Sequence, residues 1–336
     1  MRVGYFFISS YMVKQFKNLW QEWRAPLLVG AAGAIAVQVY LWTEKEETKN
    51  ADAPIQVQEK ALPMLKQTPE EISFLWDASL PSLERVQRLK SLCRDTPTEP
   101  VMRHFTWALL DLNHQHRQSA DFITLANEMM EQMRLHDRDR ARFFRLMHQI
   151  MTDHKFDSLN RDYAAQHYAN GIFDLLQSSE IQPSQRELVQ AFCDASRSVV
   201  KESSADGSSV AGSLALGLVR LTQLSPDQPD LLALRRDLSA YLSDISKGLV
   251  PSRDLNRIPL MKLAEVSLPA PDAAVMLQNV ITSDSTSPAV RLAAISSFSR
   301  VASNQEFLAL KSTSALQNPI YQQAISYAEK HLQNRP

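Results

Sequence analysis

Cysteine and glycine are the scarce residues of this chain. Two cysteines in 336 residues, Cys93 and Cys193, cannot build a disulfide framework. Neither has a second cysteine or a histidine at the spacing of a zinc site. Both read as buried apolar thiols, and a single disulfide between them stays open, because spacing in sequence does not fix spacing in the fold. Eight glycines against seventeen prolines argue against a turn-rich β-protein and fit helices punctuated by proline. No stretch alternates apolar and polar residues at period two, so the expected fold class is all-α. An excess of one charge is also missing: 36 basic residues face 37 acidic ones, with a net charge of -1. Such a surface has no global field to hold nucleic acid, which removes a polynucleotide from the expected partners.

What is present is one long apolar run. From Pro26 to Trp42 the chain reads PLLVGAAGAIAVQVYLW, with Gln38 its one strongly polar residue. As a helix it would reach ~25 Å, close to the ~30 Å of a hydrocarbon core. Trp20 and Trp23 before it, with Tyr40 and Trp42 at its end, stand where amphipathic rings settle at the two headgroup interfaces. Gly30 and Gly33 leave a small-residue face that would let a second membrane helix approach closely. Arg2, Lys14, Lys17 and Arg24 precede the run against a single acid, Glu22. That bias puts the N-terminus on the cytoplasmic or matrix side and the rest of the chain across the membrane.

The acid-free first nineteen residues partly match a mitochondrial transit peptide, so the mitochondrial inner membrane is the favoured location. A bacterial inner membrane or the mitochondrial outer membrane are the alternatives. Translation from Met1 or from Met12 fits equally well. The competing readings of the run are a buried core helix or a cleaved signal sequence, the latter giving a secreted or translocated protein.

The expected organisation is a basic flank over 1–25, a membrane helix over 26–42 and a linker over 43–68. A helical domain follows in two parts, 69–203 and 204–336, divided at the Ser/Gly-rich stretch 203–209. Within it the apolar spacing predicts helices over 69–78, 81–94, 98–115, 119–135, 137–154, 158–178, 183–203, 210–224, 228–247, 254–266, 271–283, 288–302, 304–315 and 319–333. Thr68-Pro69-Glu70-Glu71 reads as an N-cap, a proline in the first turn and acids against the helix dipole. Asp137 reads in the same way as a cap.

Near the C-terminus, Leu277-Gln278-Asn279-Val280-Ile281 ends one helix and Ser287-Pro288-Ala289-Val290-Arg291-Leu292-Ala293-Ala294-Ile295 opens the next, with a fainter copy from Asn318-Pro319-Ile320-Tyr321. This resembles a HEAT or armadillo repeat over the last sixty residues or so. The resemblance implies paired helices stacking through small residues such as Ala293 into an α-solenoid. A tetratricopeptide-like or irregular solenoid is equally allowed upstream.

Chemistry is sparse. His104, His114, His116, His136, His148, His154 and His167 crowd into one third of the chain, yet none makes the His-Glu-x-x-His pattern that turns two imidazoles toward one zinc. His136-Asp137, with His104 and Asp194, is similar to the scattered ligands of HD-type metal phosphohydrolases, and this is the enzyme alternative. The segment 207–213 has the glycine spacing of a phosphate loop without its lysine, and nearly the Gly-x-Ser-x-Gly of a nucleophile elbow, without the last glycine. A connector explains it better. Met129, Met130 and Met133 read as core before they read as a soft binding face. The arginine-rich stretch from Arg134 to Arg145 reads as a solvated face paired with Asp137 and Asp139. No catalytic residue, metal ligand or cofactor is assigned. The expected function is a membrane-anchored, non-enzymatic helical scaffold, accessory subunit or assembly factor working through protein partners.

Overall fold

In the computed structural model the described residues are 68–94, 97–111, 120–177, 183–203, 208–246, 253–313 and 316–333. The run at 26–42, its flanking aromatic residues and Gly30 and Gly33 lie outside them. So do His114 and His116. Among the described residues no helix is long and apolar enough to cross a membrane.

The fold is all-α. After a 3₁₀ turn at Glu70–Trp76 come α1 (Ser82–Leu92), α2 (Glu99–Leu110), α3 (Ala120–His136), α4 (Arg140–Thr152), α5 (Ser158–Gln177), α6 (Pro183–Ser203) and α7 (Val210–Leu224). They are followed by α8 (Pro229–Ser246), α9 (Asp254–Ser267), α10 (Ala270–Thr282), α11 (Pro288–Val301), α12 (Asn304–Lys311) and α13 (Pro319–Gln333). The first element differs from expectation. Thr68 makes no cap, the turn starts behind Pro69 without a side-chain cap, and it stays 3₁₀. A fixed proline φ and three successive orphan donors suit the tighter turn. The expected cap at Asp137 is also displaced: Asp139 Oδ1 accepts from the Arg142 amide (3.0 Å) and is the true cap of α4. Asp137 instead accepts from the Asp139 amide (2.9 Å), shaping the turn before the helix. Where Ser303 precedes Glu306, a full capping box opens α12.

The helices alternate between two layers. In the first, α1 packs on α3, α3 on α5, α5 on α7, α7 on α9, α9 on α11 and α11 on α13. In the second, α2 packs on α4, α4 on α6, α6 on α8 and α8 on α10. Consecutive pairs such as α4 and α5, α6 and α7, α8 and α9, or α10 and α11 close the space between the layers. Short connections make such neighbours antiparallel, so helices within one layer run in parallel. The helix α7, which follows the Ser/Gly-rich stretch, packs on α5 before it and on α9 after it.

Apolar residues of both layers fill the middle. Phe143 and Phe144 of α4, Tyr168 of α5 and Phe192 of α6 form a chain of tilted and edge-on rings, with centroids 4.9 to 5.7 Å apart. Met129, Met130 and Met133 are fully buried and belong to this core. Cys93 and Cys193 are buried free thiols, and burial pushes each up to about 12.

Candidate functional site

Small residues let helices approach closely, both within the first layer and between the layers. A side chain at Gly217 of α7 would put its Cβ 2.5 Å from the Ala169 Cβ of α5, and one at Gly171 would meet the Phe143 ring at 2.7 Å. At Gly212 a Cβ would sit 2.8 Å from the Leu255 carbonyl oxygen of α9 and 2.9 Å from Asn256 Oδ1. Pro259 lies one turn further along α9 and has no N–H to give that Leu255 carbonyl, so the carbonyl is left facing Gly212. The second glycine of the 207–213 segment is therefore a helix-packing residue inside α7 and not part of a loop.

The same contact places a buried asparagine. Asn256 is fully buried. Its Oδ1 accepts from the Gly212 amide (2.9 Å) and its Nδ2 donates to the Ser208 carbonyl (2.5 Å). Ser209, the first flanking residue of α7, supplies no side-chain cap, so α9 caps α7 from outside. From the opposite side Asp162 of α5 faces the same helix start. It is nearly buried and accepts from Gln166 Nε2 at 3.3 Å. Burial raises its pKa above the ordinary carboxylate value, against the hydroxyls of Ser213 and Ser209 and the Gln166 amide, which lower it.

At the other end of these helices a seam of charge crosses the layer. Arg134 of α3 pairs with Asp174 of α5 and, at 2.7 Å, with Glu131. Arg134 first, and then the His167 ring, hold Glu131 well below the usual carboxylate range against burial. His167 Nδ1 lies 3.3 Å from Glu131 Oε2, close enough for attraction but off the hydrogen-bond line, while its Nε2 meets Asn127 Oδ1 at 2.9 Å. Arg220 of α7 donates to Asn170 Oδ1 of α5 (2.8 Å) and lies over the Phe173 ring (5.0 Å). Arg300 of α11 grips Glu265 of α9 with two nitrogens (2.5 and 2.8 Å). Burial would raise Glu265, but the Arg300 bonds and charge and the nearby Lys262 charge outweigh it and leave the carboxyl below its ordinary value. Lys262 donates to Ser297 Oγ (3.2 Å), an atom that also accepts from Arg300 (3.0 Å). Burial and the Arg300 charge push the Lys262 amine down to about 8. Cations at these positions also suit the negative C-terminal ends of the helices.

The arginine stretch is more deeply engaged than a solvated face. Arg142 donates to both oxygens of Asp137 (2.9 and 2.6 Å) and to both oxygens of Glu99 on α2 (2.6 and 3.0 Å). Hydrogen bonds from Arg142 and Arg103 hold Glu99 at about 2. Arg140 donates to the Arg134 carbonyl (2.5 Å) and lies over the Phe143 and Phe144 rings. The stretch clasps three helices together because its stems lie along apolar surface while their heads find fixed acceptors.

The residues of the metal-enzyme reading are dispersed. Asp137 is filled by Arg142. Asp194 is paired with Arg197 on exposed α6 surface, and His104 lies tilted between Trp76 and Trp107 while accepting from Trp76 Nε1 (3.1 Å). Among the described residues no group of three His, Cys, Asp or Glu side chains is arranged to hold a metal ion.

Sequence reasoning missed Asn256, Asp162, Arg220 and Lys262. One of them carries a readable signal: Arg220 is the only charge in the fifteen residues of α7, a position an apolar helix gives to a residue with a task. Comparison with protein-family models, curated proteins and solved structures finds no match for this chain.

Proposed function

We propose that this protein is a membrane-anchored helical-repeat scaffold, an accessory subunit or assembly factor, that acts by presenting its stacked helices to protein partners. One observation carries the reading: helices pack on the next but one in two layers, from α1 to α13 in the first and from α2 to α10 in the second. Stacks of this kind offer a long continuous surface to a partner without catalytic groups. The packing of α10 on α11, opened by Ser287 as cap and Pro288 in the first turn, is consistent with the HEAT-like reading of that region. The charged side chains of the seam support the same reading, since they are spent on holding helices to one another.

The anchor is the apolar run at 26–42. It would hold the domain beside a membrane complex and raise its local concentration there, with the mitochondrial inner membrane as the favoured site. Affinity purification of the full-length chain from cross-linked membranes in mild detergent tests the reading. A fixed set of membrane-complex subunits recovered in stoichiometric amounts supports it. Recovery of the chain alone, or its release from membranes by carbonate, overturns it. Replacing Gly30 and Gly33 with leucine while partner recovery stays unchanged would reduce the run to a plain tether.

A further inference from the structure

Lys262 of α9 stands where an amine does not readily keep its extra proton. Its side chain is partly buried, and it donates to Ser297 Oγ of α11 (3.2 Å), a residue that water does not reach. Arg300 donates to the same oxygen (3.0 Å), so an amine and a guanidinium meet across one hydroxyl. Glu265 is the acid of this joint, and Arg300 grips both its oxygens at 2.5 and 2.8 Å. The Ser297 hydroxyl gives its own hydrogen to the same carboxylate.

Burial disfavours the charged amine first and the Arg300 charge second, while the Glu265 charge opposes both and is outweighed. The helices α7, α8 and α10 also pack on α9, and among the described residues they bring no charge that acts on the amine. Arginine does not give up a proton in a protein, whereas a partly buried lysine does. The repulsion between the two cations is therefore relieved at Lys262. As a neutral amine it keeps an N–H for Ser297 and gains a free electron pair.

We infer that Lys262 is a site of N-acylation, taking its acyl group from a small acyl thioester. The nitrogen pair attacks the thioester carbonyl carbon, so that a C–N bond forms and the C–S bond breaks. The thiolate leaves with the electrons of that bond and takes up the proton that the nitrogen sheds. The product suits the joint better than an ammonium does: an amide N–H can still donate to Ser297, the second cation is gone, and Arg300 keeps Glu265 to itself. Lys262 is only partly exposed, which favours a small acyl group over a bulky one. The inference goes beyond the scaffold reading and needs neither the anchor nor a partner.

At about pH 8 an ordinary lysine is free amine to only about 0.3%, whereas an amine brought down to about 8 is about half free, a gain of about a hundredfold. A less basic nitrogen is also a weaker nucleophile, which takes back about tenfold. The test incubates the full-length chain, in mild detergent, with acetyl-coenzyme A over a range of pH, with Nα-acetyl-lysine amide as internal standard. Acetylation is read peptide by peptide in the mass spectrometer. At about pH 8 Lys262 reacts about tenfold faster than the standard, and its rate levels off above that pH while the standard keeps climbing about tenfold per pH unit. Arg300→Gln removes the neighbouring cation and frees Glu265 to face the amine, so it slows Lys262 several-fold and leaves the standard unaffected. A Lys262 that reacts more slowly than the standard at that pH, or climbs in parallel with it, overturns the inference. So does an Arg300→Gln chain that keeps both its melting transition and its Lys262 rate. If that variant does not fold, the wild-type pH profile decides alone.

Discussion

At their N-terminal ends α5, α7 and α9 are joined by an asparagine, an aspartate and one glycine, Gly212, that water hardly reaches. At their C-terminal ends the first layer is joined by guanidinium groups that keep one side in solvent. The Arg300 side chain is 35% exposed over a nearly buried Glu265, whereas Asn256 is fully buried. A dry edge tolerates no change of shape, since a lost bond leaves a buried donor or acceptor and an added methyl has nowhere to go. A wet edge tolerates substitution, because water replaces what is removed. The first layer is thus fixed along one edge and adjustable along the other.

Substitutions along the layer sharpen this contrast. The largest effect belongs to Gly212→Val: its branched side chain meets a backbone carbonyl that cannot rotate away, and about 3 kcal/mol of stability is lost in urea titration. A loss below about 1 kcal/mol would mean that the dry edge yields after all. Asn256→Ala, which uncaps α7 and strands two backbone groups, costs about 2 kcal/mol by the same measurement. It also raises hydrogen exchange at the start of α7 ahead of the rest of the domain. On the wet edge Arg300→Ala leaves Glu265 partly buried beside Lys262 and costs about 1 kcal/mol. A loss as large as that of Asn256→Ala would erase the contrast between the two edges.

Asp162→Asn runs the other way. The folded pKa of Asp162 is raised above its ordinary 3.8 by burial, so the folded state favours the protonated form. Stability from this group is fully present below pH 3.8 and declines as pH climbs through the folded value. The asparagine variant is therefore more stable than wild type at neutral pH, and the two converge in acid. A gap that widens on acidification would contradict the sign. The smallest effect belongs to Arg88→Ala, which breaks an exposed pair with Glu84 and leaves the melting temperature within experimental scatter.

Much of the helical order was legible because apolar spacing repeats in every element, so predicted and observed helices nearly coincide from α1 to α13. Misread details share one cause: polar residues near helix starts have several equivalent local roles. Asp137 and Asp139 both sit before α4, and only the fold shows that Arg142 reaches across to Glu99 and claims Asp137, leaving Asp139 to cap. Asn256 was invisible for a stronger reason. An asparagine in the first turn of a helix looks like a solvated residue, and its true partner, Gly212, is supplied by an element 44 residues earlier. Lys262 and Arg220 were likewise hidden, since their partners, Ser297 and Asn170, come from other helices.

The reach of Asn256 back to Gly212 sets an order of assembly. A ribosome delivers α7 before α9, so a nascent chain cut short before Asn256 leaves the Gly212 amide at the start of α7 without its cap. The middle of the stack is therefore completed from downstream, in a backward stitch, and any passage of the chain across a membrane in N-to-C order must carry α7 through in its unfinished state. Such a chain is open to chaperones until one asparagine arrives.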